Sequence, residues 1–328
     1  LFWTGATSLL GRLQARDSLL VLNYHRIGNA DEDPFDPGVF SASGDQLNDQ
    51  IAYLKRHVSL VTLEEAMAFA HGTLQEKAPR CRVLITFDDG YLDNYQIAFP
   101  ILRSHGAQGV FFLVTSLVGS GCVPWWDRIA FVIKTARRRC FSLHYPAELA
   151  VDLDASGVAQ SLRDVLNLYK RPGNADPERF LGELDDAAKG DSIPGTLRRF
   201  LNWDEAREMI AGGMAIGSHT HSHPVLAQLG PEQQRNELAQ SRALLMEHLG
   251  IPADALAYPV GAASSFSDQT QQIARECGYR AAFSYHGGTN LPGMARPYDI
   301  KRVGVGDQSW RRFRAQTAVC RCTGSYWP

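Results

Sequence analysis

Short β-rich apolar runs, polar turns and stretches of helical periodicity alternate along this chain, the pattern that parallel β/α architectures leave in a sequence. The apolar runs predict strands over residues 19–24, 83–87, 109–115, 214–218, 255–258, 280–284 and 301–305. A helical stretch follows the second of these to about His105, interrupted by Pro100 and closed by Gly106. Asn202 with Glu205 three positions on has the form of a capping box, and Gly212 and Gly213 end the short helix it opens. Pro231 begins a long helix with Leu238, Leu245 and Leu249 on one side, which Gly250 and Pro252 stop. Ser267 caps a further helix that reaches Cys277 and stops at Gly278.

About eighty residues, at 118–200, break the alternation with helical patterns near 127–136, 156–169 and 176–188. They read as a largely helical insertion. Such insertions either cover one face of an α/β scaffold as lids and walls or simply elaborate it, and both readings stand at this point. At the other end, Phe2, Ala6, Leu9, Leu10 and Leu13 share a helical face, with Arg12 and Arg16 available for the opposite side. Residues 1–18 are therefore expected to form an amphipathic segment that packs on the domain or makes peripheral contact with a membrane.

Composition narrows the function classes. Against 35 Asp and Glu stand 33 Lys and Arg, a formal charge of −2, so the chain lacks the basic field that nucleic-acid binding uses. No run approaches the roughly 18 apolar residues of a membrane-spanning helix. No secretory leader is recognisable, and the expected location is cytoplasmic or membrane-peripheral. Cys81, Cys122, Cys140, Cys277, Cys320 and Cys322 have no zinc-ribbon spacing and are expected to be mostly free thiols.

Chemistry concentrates at the predicted strand ends, the functional rim of α/β folds. Thr86-Phe87-Asp88-Asp89-Gly90 sets two carboxylates directly after an apolar strand. Adjacent acids alone are commonly a solvated turn. Gly217-Ser218-His219-Thr220-His221-Ser222-His223-Pro224 follows another strand and spaces His219 and His223 four apart, where two imidazoles can face one metal from a helical turn while His221 points elsewhere. A zinc protease of the H-E-x-x-H type needs Glu at 220, where this chain has Thr, so a carboxylate base must come from another segment. If the two segments meet, two histidines and one carboxylate complete a catalytic-type coordination, and the second carboxylate is free to take a proton. The turn at Tyr258-Pro259-Val260-Gly261 offers backbone amides for an oxyanion, and Tyr24-His25-Arg26 and Ser284-Tyr285-His286 end two further strands.

These motifs resemble those of the polysaccharide deacetylases, the NodB-type carbohydrate esterases of family four, with T-F-D-D-G matched at 86–90 and H-[ST]-x-x-H at 219–223. The resemblance covers roughly residues 20–117 and 200–305. It implies a distorted (β/α) barrel of about seven strands, placed here at 19–310 as a single domain, with a C-terminal tail at 311–328. It also implies a divalent metal, typically zinc with cobalt, nickel or manganese as alternatives, held by Asp89, His219 and His223, with Asp88 as general base. The substrate implied is an N-acetylated oligo- or polysaccharide, and the backbone N–H of Val260 would hold the oxyanion.

Two departures from the family pattern stand out. The motif arginine that orients the base is Ala257 here, so Arg302 or Arg26 must take that role or it is absent. The late L-x-x-H segment is not recognisable, leaving His25 and His286 as candidate acids. His25 is preferred because Tyr24-His25-Arg26 looks like the Y-H segment of exopolysaccharide-modifying members. Trp126, in Trp125-Trp126-Asp127, either offers a sugar an aromatic face or seats the insertion. Tyr258, Val260, Trp126, His286 and Arg302 are the expected substrate contacts. Competing readings are an O-deacetylase of an acetylated polysaccharide, a metal-free opening of a cyclic amide, against which the complete ligand set argues, and a catalytically silent glycan-binding module.

Overall fold

A computed structural model of the chain describes residues 17–74, 81–171, 173–193, 199–306 and 309–323. The predicted apolar runs form seven parallel strands: β1 (Ser18–Tyr24), β2 (Cys81–Phe87), β3 (Gly109–Leu113), β4 (Ala215–Ser218), β5 (Ala255–Ala257), β6 (Ala281–Phe283) and β7 (Arg302–Gly304). Their order across the sheet is β6-β5-β4-β3-β2-β1-β7. Ile300, just before β7, bridges Phe283 of β6, donating to the Ala282 carbonyl and accepting from the Ser284 N–H at 2.9 Å each. Because β7 itself pairs with β1, the sheet curls into a nearly closed barrel.

The two-residue period of a strand decides what lines that barrel. Leu19 and Val21 of β1, Leu84 of β2, Val110 and Phe112 of β3, and Ala255, Ala257, Ala281 and Phe283 of β5 and β6 form one buried interior cluster. Small residues on β5 and β6 make room for Phe112 and Phe283, whose rings stand 5.3 Å apart. Gly217 of β4 is required by the same crowding, since a Cβ there would lie 2.5 Å from the Phe112 ring. One step further along the interior face, the lining turns polar: Asn23, Thr86, Asp88 and Arg302 are at most 2% exposed. The site therefore sits on a floor of barrel core.

Outside the barrel, the alternate residues Leu20, Leu22, Val83 and Ile85 pack against helices. These are α1 (Gly44–His57), α2 (Leu63–Ala70), α3 (Phe99–His105), α4 (Trp125–Lys134), α5 (Val158–Tyr169), α6 (Pro177–Ala188), α7 (Trp203–Ala211), α8 (Pro231–Leu249), α9 (Asp268–Glu276) and α10 (Trp310–Thr323). Each fully buried Leu or Ile at this interface contributes on the order of 1.5–3 kcal/mol. Helix α2 instead joins the interior cluster through Leu63, Ala66 and Met67.

Three features add to the sequence expectation. Residues 25–74 hold α1 and α2, which the strand-led reading passed over although each opens with a capping box, Ser43 with Gln46 and Thr62 with Glu65. The insertion contains α4, α5 and α6 as expected, and also an antiparallel hairpin pairing Cys140–Leu143 with Leu149–Asp152. Within the C-terminal tail, residues 310–323 form α10, which buries Phe313 beside the Tyr53 ring of α1. The amphipathic pattern of residues 1–16 and the side chains of Cys320 and Cys322 lie outside the described residues. Cys122, Cys140 and Cys277 are free thiols. Among the described residues, no helix is long and apolar enough to cross a membrane.

A buried chain of ions fastens the insertion to the barrel. Arg26 pairs with Asp93 (2.9 Å) and with Asp33, and Arg199 pairs with Asp33 (3.4 Å) and with Asp127 at the start of α4 (3.2 Å). Burial pushes the Asp127 carboxyl up to about 6 in spite of Arg199. Arg26 is thereby committed to Asp33 and Asp93 and does not reach Asp88, the role the sequence reading left open for it.

Candidate active site

Asp88 follows β2 and stays in register with the barrel interior, its N–H donating to the Tyr24 carbonyl at 3.0 Å. Its carboxylate accepts from Arg302 twice, at 2.7 and 2.8 Å, and from Asn23 Nδ2 at 3.1 Å. Arg302 is anchored in turn by the Ser284 carbonyl (3.0 Å) and Asn23 Oδ1 (2.9 Å). Burial raises the Asp88 pKa, but the Arg302 charge outweighs it and holds the carboxyl well below its ordinary range. A two-point clamp of this kind fixes the plane of the carboxylate as well as its charge.

Asp89 turns the other way, with φ of 73°. Its Oδ1 is buried, accepts no hydrogen bond among the described residues, and lies 3.5 Å from the Nε2 of both His219 and His223. Burial, and then the charges of Asp88 and Asp127, push this carboxyl well above the usual range. His219 directs Nδ1 at the Ala257 carbonyl, 2.8 Å away, which leaves the Nε2 lone pair facing Asp89. Burial lowers the pKa of both histidines, against the raising effect of Asp88 at His219 and together with the neighbouring His219 at His223.

These donors suit a divalent cation. Nitrogen and oxygen ligands about 2.0–2.1 Å from a tetrahedral ion stand about 3.3 Å apart, close to the separations observed. A buried carboxylate oxygen with no hydrogen bond, facing two imidazole nitrogens, and a His223 Nδ1 that is likewise unpartnered among the described residues, suit an ion held between them. Asp89, His219 and His223 are thus three residues that could hold such an ion.

The histidine pair does not sit on a helical turn, as its spacing suggested. It lies on a loop in which Thr220 and His223 take left-handed φ values of 66° and 61°. Glu237 of α8 clamps that loop by accepting from the His221 and Ser222 N–H groups (3.0 and 2.8 Å) and the Ser222 hydroxyl (2.6 Å). His221 points away, to Thr115 Oγ1 at 3.1 Å. Five non-glycine residues among those described have positive φ, and four of them, Asp89, Thr220, His223 and Val260, belong to these rim loops. Left-handed backbone costs on the order of 1–3 kcal/mol per residue and persists where packing over-determines it, most often at functional sites.

A cavity of about 430 Å³ opens above these residues. His25, Trp126, Tyr258, Val260 and Arg302 all line it. The half-buried His25 ring is lowered to about 4, mainly by desolvation against the raising effect of Asp88. Val260 has φ of 61°, unusual for a β-branched residue, and its N–H donates to no group among the described residues. The Tyr258 hydroxyl is committed to the Tyr298 carbonyl (3.0 Å), so it contributes its ring. Trp126 backs His223, ring centres 4.4 Å apart, with its indole N–H on the Tyr91 hydroxyl at 2.6 Å. His286 is not brought in: it is exposed and pairs with Asp299 at 2.9 Å. Leu162, Leu166 and Lys170 of the insertion complete the wall.

Asn23, Glu237 and Lys170 escaped the sequence reading. Asn23 had a visible signal, one amide in the otherwise apolar-aromatic run Leu-Leu-Val-Leu-Asn-Tyr. Glu237 and Lys170 had none, being charged residues on helices among many.

Compared with known proteins, residues 75–282 match the family model described as polysaccharide deacetylase. The Bacillus subtilis (strain 168) protein YxkH is 24% identical over 237 residues, taking in 70% of this chain and 54% of that protein. A poly-beta-1,6-N-acetyl-D-glucosamine N-deacetylase of Staphylococcus epidermidis is 30% identical over 117 residues, 32% of this chain and 39% of the relative. The chain thus spans about half or less of the length of these curated relatives. In solved structures, IcaB from Ammonifex degensii has a TM-score of 0.58 at 22% identity, covering 93% of this chain and 98% of its own. Streptococcus pyogenes deacetylase PplD, in complex with acetate, has a TM-score of 0.57 at 19% identity, covering 92% and 98%.

Proposed function

The chain belongs to the polysaccharide deacetylase family, and from that membership we propose that it is a metal-dependent hydrolase removing acetyl groups from N-acetylated sugars of a polysaccharide or glycan intermediate. The observation that carries this reading is one cavity holding a buried Asp89, His219 and His223 beside a second carboxylate, Asp88, locked by Arg302. Zinc is the first choice of ion, with cobalt, nickel and manganese as alternatives. When bound, such an ion supplies Lewis acidity to the acetyl carbonyl and acidifies the attacking water.

The chain's own residues do the rest. Asp88 stays anionic through Arg302 and Asn23, with Oδ2 3.8 Å from His219 Nε2, and takes the proton of the attacking water. Arg302 replaces, from β7, the arginine missing at Ala257, and orients that base. The Val260 N–H donates to the oxygen on which charge develops. His25, neutral at rest, carries the proton to the sugar nitrogen, since an amine leaves only when protonated. That requirement, and the N-deacetylase among the relatives, favours amide over ester cleavage.

The test is acetate release from N-acetylglucosamine oligomers and from an O-acetylated polysaccharide, with zinc or cobalt added. Release from the oligomers is expected. Metal-loaded protein that releases acetate from neither would favour the silent binding module.

The loop clamp gives a second expectation. Glu237→Ala removes three hydrogen bonds from the 221–222 backbone and hydroxyl without touching a donor atom. Partners of this kind typically hold 10–100-fold in metal affinity, and a loss of about that size is expected in a zinc competition titration. Unchanged affinity would mean that the strained loop holds its shape alone.

A further inference from the structure

The insertion brings to the mouth of the site a lysine, Lys170, that forms no ion pair with a carboxylate among the described residues. Lys170 caps the C-terminal end of α5. Gln228, a few residues beyond His223, donates to the Lys170 and Arg171 carbonyls at 3.2 and 2.8 Å, tying this helix end to the segment that carries the histidines. The helix dipole favours a lysine there, but that effect asks only for a side chain in solvent. The ammonium instead turns over the Trp125 ring, with Nζ 5.9 Å from its centroid, and lines the cavity half-buried. The Trp125 ring centre is in turn 6.1 Å from that of His223.

No carboxylate of the cavity wall forms an ion pair with Lys170 among the described residues. Asp88 holds Arg302, Asp89 faces the two imidazoles, and Asp36 accepts from the Gly38 N–H at 2.8 Å. Asp36 acts on Lys170 electrostatically, yet no ion pair joins them among the described residues. Arg163, the other cation at the mouth, donates to Gln160 at 2.6 Å. A half-buried ammonium has lost part of its hydration, which burial registers as a lowered pKa, and a charged acceptor restores most of what was lost.

We infer that Lys170 is a specificity-determining residue that reads an anionic group, phosphate or carboxylate, carried by the glycan beside the N-acetyl sugar entering the site. The identity of the sugar rests on the deacetylase reading above; the recognition of the anion is tested without turnover. A trimer of N-acetylglucosamine is compared with the same trimer bearing a 6-phosphate or a neighbouring glucuronate. Binding to wild type, Lys170→Gln and Lys170→Arg is measured by calorimetry, with acetate release followed in parallel.

Wild type is expected to bind one anionic trimer about tenfold more tightly than the neutral one, the scale of a single charge-assisted hydrogen bond. Lys170→Gln should bring the pair to parity, Lys170→Arg should retain most of the preference, and the two anionic arms identify the group. Equal binding of neutral and anionic trimers by wild type, a preference unmoved in Lys170→Gln, or no binding of any trimer overturns the inference. Anion preference without acetate release sinks the deacetylase reading alone. Acetate release without anion preference sinks this inference alone.

Discussion

Asp88→Asn is expected to keep its metal and lose turnover, with kcat lower by about 10²–10⁴-fold, the range over which a positioned general base acts. The amide preserves the shape of the side chain but cannot accept a proton from water. None of the three proposed ligand atoms, Asp89 Oδ1 and the two Nε2 atoms 3.5 Å from it, is altered. The change also has a structural cost. Arg302 is 1% exposed and places two of its donors on Asp88, so the variant leaves a buried guanidinium without its counter-charge, worth on the order of 3–5 kcal/mol. Activity must therefore be read on protein that is folded and metal-loaded, at a temperature below the lowered Tm. Under those conditions, an Asp88→Asn protein with wild-type kcat would remove Asp88 from the chemistry.

How much of this was legible in the sequence follows from which forces act locally. Strand ends announced themselves because apolar runs stop where the barrel stops, and Asp88, Asp89, His219 and His223 are all within five residues of a strand end. The capping box at Asn202 and the Pro231 start gave α7 and α8 to within a residue or two, since caps are satisfied by neighbours in the chain. The same local signals existed for α1 and α2 and went unused beside the stronger strand pattern. Arg302 was one of two candidate partners for Asp88, and only the curling of the sheet decides between them. β7 returns to pair with β1, delivering Arg302 to Asn23 and Asp88, whereas Arg26 is drawn off by Asp33 and Asp93.

What the sequence could not convey is the shape of the rim loops. A His-x-x-x-His spacing read as a helical turn is realised by two left-handed residues and an external carboxylate, Glu237, sixteen positions from His221. Left-handed Thr220 and Val260 are invisible to propensity, which disfavours β-branched residues there most of all. His286 shows the converse, a promising residue type near a strand end that Asp299 and solvent claim instead. Local rules fail at these positions because packing of the whole barrel overrides them, as expected of a site whose geometry is selected for chemistry.

His219→Ala should have the opposite signature to Asp88→Asn, losing metal and activity together. Its Nε2 faces Asp89 and the proposed ion site because Nδ1 is held by the Ala257 carbonyl of β5, so the imidazole would be both donor and fixed strut. Removing it leaves two protein ligands, fewer than the three of catalytic zinc sites, and affinity should fall at least about a hundredfold. Three measurements separate this from misfolding. Zinc content after dialysis should drop from one per chain towards zero, acetate release should vanish in step, and the zinc-induced rise in stability should disappear. For wild type at zinc one hundred times its Kd, that rise is about 2.7 kcal/mol. Without zinc, His219→Ala should be somewhat less stable than wild type, since it removes a buried imidazole and the hydrogen bond to the Ala257 carbonyl, so each protein is compared with its own metal-free form. One equivalent of zinc retained by a fully active His219→Ala protein would mean that the ion sits elsewhere, and with it the assignment of all three donors would fall.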